Sequence, residues 1–101
     1  MHEKYDFVME EGEKNPCEIQ VYALSTCGFC KRGLDFLRKN NLKFKYIYVD
    51  KLESQQRMLI KRDLRDSFEE RLGFPFVVID GGDKVLVGFT EDKWKKAFLE
   101  S

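Results

Sequence analysis

The stretch Leu24–Arg32, LSTCGFCKR, places two cysteines, Cys27 and Cys30, two residues apart directly after an apolar run. Upstream, Ile19–Leu24 (IQVYAL) is rich in β-formers and alternates Ile19, Val21 and Ala23 against Gln20, Tyr22 and Leu24, the pattern of a strand buried on both faces by its end. Downstream, Cys30, Leu34 and Leu37 recur at helical spacing, with Phe36 widening the stripe, and Asn40–Asn41 forms a stop signal. The cysteines therefore straddle a strand-to-helix junction. Such a pair can be a metal clamp, a crosslink or a redox couple.

A structural zinc takes four ligands, usually from two cysteine knuckles or a pair of histidines. Beyond the pair the chain offers only Cys17 and His2, and no second knuckle. A crosslink stabilises in proportion to the logarithm of the loop it closes, and this loop is among the shortest available. The redox reading has a positive argument. A cysteine at a helix start faces unpaired N–H groups and the positive end of the helix dipole, which favour thiolate over thiol. Helix-start thiols of this type commonly have pKa values lowered to roughly 3.5–7.5 from about 8.5. Lys31 and Arg32 add positive charge nearby. Cys27 is then the attacking thiolate and Cys30, one turn inside, the resolving thiol. Gly28 keeps the turn open to a substrate backbone, or simply eases a tight corner.

At 101 residues the chain fits one domain, with residues 1–17 read as an extension and 18–101 as the folded unit. Nine Phe, four Tyr and one Trp supply a real core. Eighteen basic residues balance eighteen acidic ones, which argues against a duplex-binding surface. The longest apolar run, Phe74–Ile79, is too short to span a bilayer, and the polar, acidic N-terminus is no secretory signal. A cytoplasmic protein is expected, where thiols stay reduced and a lone CxxC is catalytic or metal-binding. Tyr5–Met9 reads as a short added strand or a partly ordered segment. Lys43–Val49 reads as a second strand, and Glu53–Leu72 as a charged helix buried through Ile60, Leu64, Phe68 and Leu72. Pro75 stops any helix. Phe76–Ile79, the turn Asp80–Asp83 and Lys84–Val87 spell a hairpin. A last helix starts at an N-cap Thr90, with Glu91 and Asp92 in its first turn, and buries Trp94, Ala97 and Phe98. The order is βαβαββα: an α/β fold whose four-stranded mixed sheet is flanked by helices, strands one and two being parallel.

On YALSTCGFCKRGLDFL, GFPFVVID and VGFTEDKW the chain resembles the glutaredoxin branch of the thioredoxin superfamily over residues 19 to 100. The resemblance implies the thioredoxin-like fold and a cis Pro75 beside the cysteines, with Phe74 bonding a substrate backbone. Three motifs depart from the family pattern. CGFC stands where CPYC is common, so Gly28 replaces proline and Phe29 replaces tyrosine; Gly73–Phe74–Pro75 replaces Thr-Val-Pro; and Gly88–Phe89–Thr90–Glu91–Asp92 replaces the glutathione-binding Gly-Gly-x-Asp-Asp. The Gly88–Phe89 pair looks more like the redoxins that serve ribonucleotide reductase. Thr90–Asp92 either set a helix N-terminus at a small thiol's carboxylate or form an ordinary cap. Phe29 and Phe74 flank the pair as an apolar contact surface, or Phe74 belongs to the core.

The leading expectation is a dithiol thiol–disulfide oxidoreductase acting on protein or small-molecule disulfides. It is expected to be a monomer without a tightly bound cofactor or metal. The donor is glutathione, another low-molecular-weight thiol or a thioredoxin-reductase-like protein. The alternative is an iron–sulfur carrier, because CGF followed by a final cysteine, Cys30, resembles the CGFS motif of monothiol glutaredoxins. Cys17 is read as a small hydrophobe or incidental, with regulatory oxidation as the sharper alternative.

Overall fold

The computed structural model of the protein describes residues 7–68 and 72–100. His2, Tyr5 and residues 69–71 of the expected second helix lie outside the described residues. The elements are β1 (Val8–Glu10), β2 (Ile19–Ala23), α1 (Gly28–Lys39), β3 (Phe44–Tyr48), a helical turn at Val49–Lys51, α2 (Ser54–Ser67), β4 (Phe76–Ile79), a second helical turn at Asp80–Gly82, β5 (Lys84–Val87) and α3 (Glu91–Phe98).

The sheet has five strands, not the expected four, in the order β1-β3-β2-β4-β5. The additional one is β1, which pairs antiparallel with β3 through Val8↔Tyr46, Met9↔Lys45 and Glu10↔Phe44. It overlaps the segment Tyr5–Met9, for which a short added strand is one of two readings, and among the described residues the strand runs over Val8–Glu10. The remaining pairings follow the expected plan, with β2 parallel to β3 and β4 antiparallel to both β2 and β5.

The alternation read in β2 divides the core. Ile19, Val21 and Ala23 pack with α1 and α3, together with Phe44, Val77, Ile79, Leu34, Leu37, Trp94 and Phe98. Tyr22 packs on the opposite face with Ile47, Phe76, Val78 and the α2 residues Ile60 and Leu64. A central strand covered on both sides reads as continuously apolar, as β2 and β4 do.

Asn40 ends α1, its side chain donating to the Phe36 carbonyl at 2.8 Å, and Asn41 takes a left-handed φ of 57°. The second helix stops at Ser67, short of the expected Leu72. Phe68 turns extended, at φ −131° and ψ 142°, and its ring lies 5.8 Å from that of Phe76. The four-residue apolar spacing thus outlasts the helix: Phe68 and Leu72 still pack on the same core from non-helical backbone. The hairpin turn has Asp80, Gly81 and Gly82 at positive φ. Trp94 and Phe98 are buried and Ala97 half-buried, as their spacing on α3 implies.

Candidate active site

Cys27 is the N-cap of α1, with φ −95° and ψ 120°, and its Sγ accepts the backbone N–H of Cys30 at 3.2 Å. That is the position and role a serine or aspartate normally takes at a helix start. No acidic residue occupies the first turn. Cys27 is half-buried, whereas Cys30 is 0% exposed and its Sγ accepts the N–H of Leu24 at 3.4 Å. Burial, and after it the hydrogen bond to Cys27, push the Cys30 thiol up to about 12. One sulfur thus sits at the mouth of the helix and the other is sealed behind it as a thiol.

Around them, the Phe74–Pro75 peptide is cis. Tyr22↔Phe76 is the last β2–β4 pair, so Pro75 lies level with Ala23, at the end of the sheet from which the cysteine turn departs. Pro75 is buried, and Phe74 is half-buried against both halves of the core. Phe29 is 56% exposed, with the Arg32 guanidinium 5.6 Å from its ring centroid. The Pro75 carbonyl accepts the N–H of Gly88 at 2.9 Å, and Gly88 has φ 80°, which suits glycine.

The residues Gly88 to Asp92, expected as one thiol-binding set, are divided by their own backbone. Gly88 and Thr90 border a small hollow of about 120 Å³ with Val87 and Lys93. Phe89 and Glu91 border a larger groove of about 440 Å³ between α1 and α3, with Arg32, Lys39 and Lys95. The Phe89 ring rests on Trp94 and Phe36, with centroids 5.0 and 5.9 Å away. Glu91 pairs with Lys95 at 3.2 Å, and Asp92 is exposed. Thr90 caps α3 by position without a side-chain hydrogen bond. Cys17 is half-buried beside the α1–α3 core, and burial raises its thiol.

Sequence reading passed over Ser25 and Asp50. The Asp50 carboxylate accepts both the Ser25 N–H at 2.8 Å and the Ser25 hydroxyl at 2.5 Å, and the hydroxyl contact holds the carboxyl below its usual range. A usable signal was present: Asp50 follows the second parallel strand, at the carboxyl end where α/β sheets gather functional groups.

Comparison with known proteins agrees with this architecture. The glutaredoxin family model matches residues 19–83. A glutaredoxin-like 8.6 kDa protein of a Clostridium pasteurianum rubredoxin operon is 28% identical over 74 residues, covering 72% of this chain and 87% of that protein. The crystal structure of a glutaredoxin from Methanosarcina mazei superposes with a TM-score of 0.76 at 28% identity, covering 90% of this chain and 85% of that one. Methanosarcina acetivorans methanoredoxin superposes with a TM-score of 0.71 at 32% identity, over 83% of this chain and 86% of its own. With the matched segment running from β2 through the cis-proline to the hairpin turn, this chain belongs to the glutaredoxin family.

Proposed function

We propose that the chain is a dithiol thiol–disulfide oxidoreductase in which Cys27 attacks and Cys30 resolves. The observation that carries this reading is the contrast between the two sulfurs: Cys27 accepts a helix N–H at a half-buried position, and Cys30 is sealed and protonated. In the first step the Cys27 thiolate attacks one sulfur of a disulfide RS–SR′. The Cys27–SR bond forms, the S–S bond breaks, and R′S⁻ leaves to take up a proton. In the second step Cys30 gives up its proton and attacks the Cys27 sulfur. The Cys27–Cys30 disulfide forms and RS⁻ leaves and is protonated. The substrate has gained two electrons, which a donor thiol or a reductase protein later returns to the pair.

Phe29, Phe74 and Pro75 form the apolar contact surface for the substrate chain. The donor is drawn from glutathione, another low-molecular-weight thiol or a thioredoxin-reductase-like protein, the small thiols being held by residues among Gly88, Phe89, Thr90, Glu91 and Asp92. Among the described residues no helix is long and apolar enough to cross a membrane. The enzyme acts in the reducing cytoplasm, as a monomer, on disulfide-bearing proteins. The iron–sulfur carrier is the weaker reading, because a buried second thiol one turn from Cys27 suits exchange and serves no purpose in a carrier with one cysteine ligand per subunit.

Replacing Cys27 by Ser removes turnover of a small disulfide, because nothing else begins the exchange. Cys30→Ser leaves the first step intact and accumulates mixed disulfides, visible by mass spectrometry of the trapped protein. Retained steady-state turnover in Cys27→Ser overturns the proposal.

A further inference from the structure

The resolving sulfur takes its N–H from Leu24, which is not part of α1, so its placement depends on how the Leu24–Thr26 turn is held. Two contacts tie that turn to neighbouring residues. The Leu24 carbonyl accepts the Cys27 N–H at 3.2 Å, and Ser25 gives both its N–H and its hydroxyl to Asp50. Asp50 is itself held from the far side of the sheet. Its carbonyl accepts Arg57 Nη1 at 3.3 Å, and Arg57 Nη2 reaches the Ser54 hydroxyl at 3.1 Å, which anchors the turn after β3 to the first turn of α2. The connection runs from α2 through Asp50 and Ser25 to the amide on Cys30. The Cys27 sulfur, by contrast, takes its N–H from within α1, and only the Cys27 backbone N–H meets this turn.

We infer that Asp50 and Ser25 are positioning residues for the resolving step, acting as one unit that fixes the Leu24 amide on Cys30 and so aligns Cys30 Sγ with the Cys27 sulfur. The inference rests on the oxidoreductase reading above and adds residues that touch neither substrate nor reacting sulfur. Alignment is what governs an intramolecular displacement, in which the attacking sulfur must lie in line with the bond that breaks. The Asp50 charge also opposes ionisation of Cys30, though less than burial does.

The test separates the two steps with an aromatic disulfide, dithiobis-nitrobenzoate, in a Cys17→Ala background. Attack by Cys27 releases one coloured thiolate, and collapse by Cys30 releases the second. Ser25→Ala and Asp50→Asn each slow the second release by about tenfold, the scale of effect that a modest misalignment of reacting atoms produces. The first release changes by less than about twofold, since the N-cap contact of Cys27 remains. The Ser25→Ala, Asp50→Asn double variant is no slower than the slower single one, because two members of one unit do not add. Ser25→Thr, which keeps the hydroxyl, restores the second release, a rescue that loss of packing would not give. Second release at the wild-type rate in both single variants, or equal slowing of both releases, overturns the inference. Paired release persisting in Cys27→Ser would instead overturn the underlying oxidoreductase reading.

Discussion

Cys27 and Cys30 are the same residue type three positions apart, and their surroundings make them different reagents. Burial and the bond to Cys27 hold Cys30 protonated to about pH 12, against an ordinary value of 9.0. That difference is also a stability statement with a definite sign. Below pH 9 the thiol is protonated in folded and unfolded chains alike, and its burial carries no penalty. Between pH 9 and 12 the unfolded chain releases the proton while the folded one keeps it, so the unfolded state binds fewer protons and stability falls as pH rises. The reduced protein should therefore lose denaturant resistance between pH 9 and 11 more steeply than Cys30→Ala, whose curve lacks this proton. Parallel curves for the two proteins would refute the assignment. The pair and its place at a strand-to-helix junction were legible in CGFC, since the strand before it and the helix after it are both encoded locally. The Ser25–Asp50 contact was not, because the two residues are 25 apart in the chain and meet only when β2 and β3 align.

At the scale of elements, the site stands on the contact between α1 and α3. Gly33 on α1 faces the Trp94 ring so closely that a Cβ would fall 2.7 Å from the ring edge. Trp94 has little room to yield: it is 1% exposed and its indole N–H donates to the Gly88 carbonyl at 3.1 Å. Two effects compete in Gly33→Ala. Helix propensity gains about 1 kcal/mol, and overpacking a filled core costs about 1–3 kcal/mol. The second wins, so the variant should be less stable by about 1 kcal/mol, a fall in Tm of about 4–8 °C for a domain of this size. A Tm equal to or above that of the parent would show that the two helices can part freely. The same contrast between local and tertiary causes explains what the sequence displayed at this scale. The β2, β4 and β5 strands, α1 with its Asn stop and α3 with its Thr cap are set by nearby residues, and periodicity found them. The end of α2 is set by Phe68 leaving the helix to pack on Phe76, which apolar spacing alone cannot report. That α3 needs the space beside Gly33 is visible only in the tertiary fold.

For the molecule as a whole, β1 matters more as the edge of the sheet than as part of its core. Val8 and Met9 are 50% and 53% exposed, so the strand adds little burial. Its worth lies in three cross-strand pairs with β3 and in Glu10, which takes the Arg38 side chain in a forked contact with its shortest arm at 2.7 Å. Cross-strand pairs contribute roughly 0.2–1 kcal/mol each, and a half-exposed ion pair adds at most about 1 kcal/mol. Deleting residues 1–11 also removes Phe7, half-buried and edge-on to Tyr22 at 5.5 Å, an aromatic contact of about 0.5–1.5 kcal/mol beyond its burial. Stability should therefore fall by about 2–5 kcal/mol, with a fall in Tm of about 4–8 °C per kcal/mol. The second consequence is larger. Without β1, the Phe44–Tyr48 strand becomes the sheet edge, with unpaired backbone groups beside Tyr46 and Ile47. Such an edge pairs with copies of itself. The truncated chain should sediment as a monomer when dilute and associate as its concentration rises, while the full chain does not. Disulfide turnover per dilute molecule should stay within about twofold of the full chain, since β1 touches neither cysteine and distant sites act independently. A truncated chain that stays monomeric at high concentration would mean that the side chains of β3 guard the edge unaided, leaving β1 only its small share of stability.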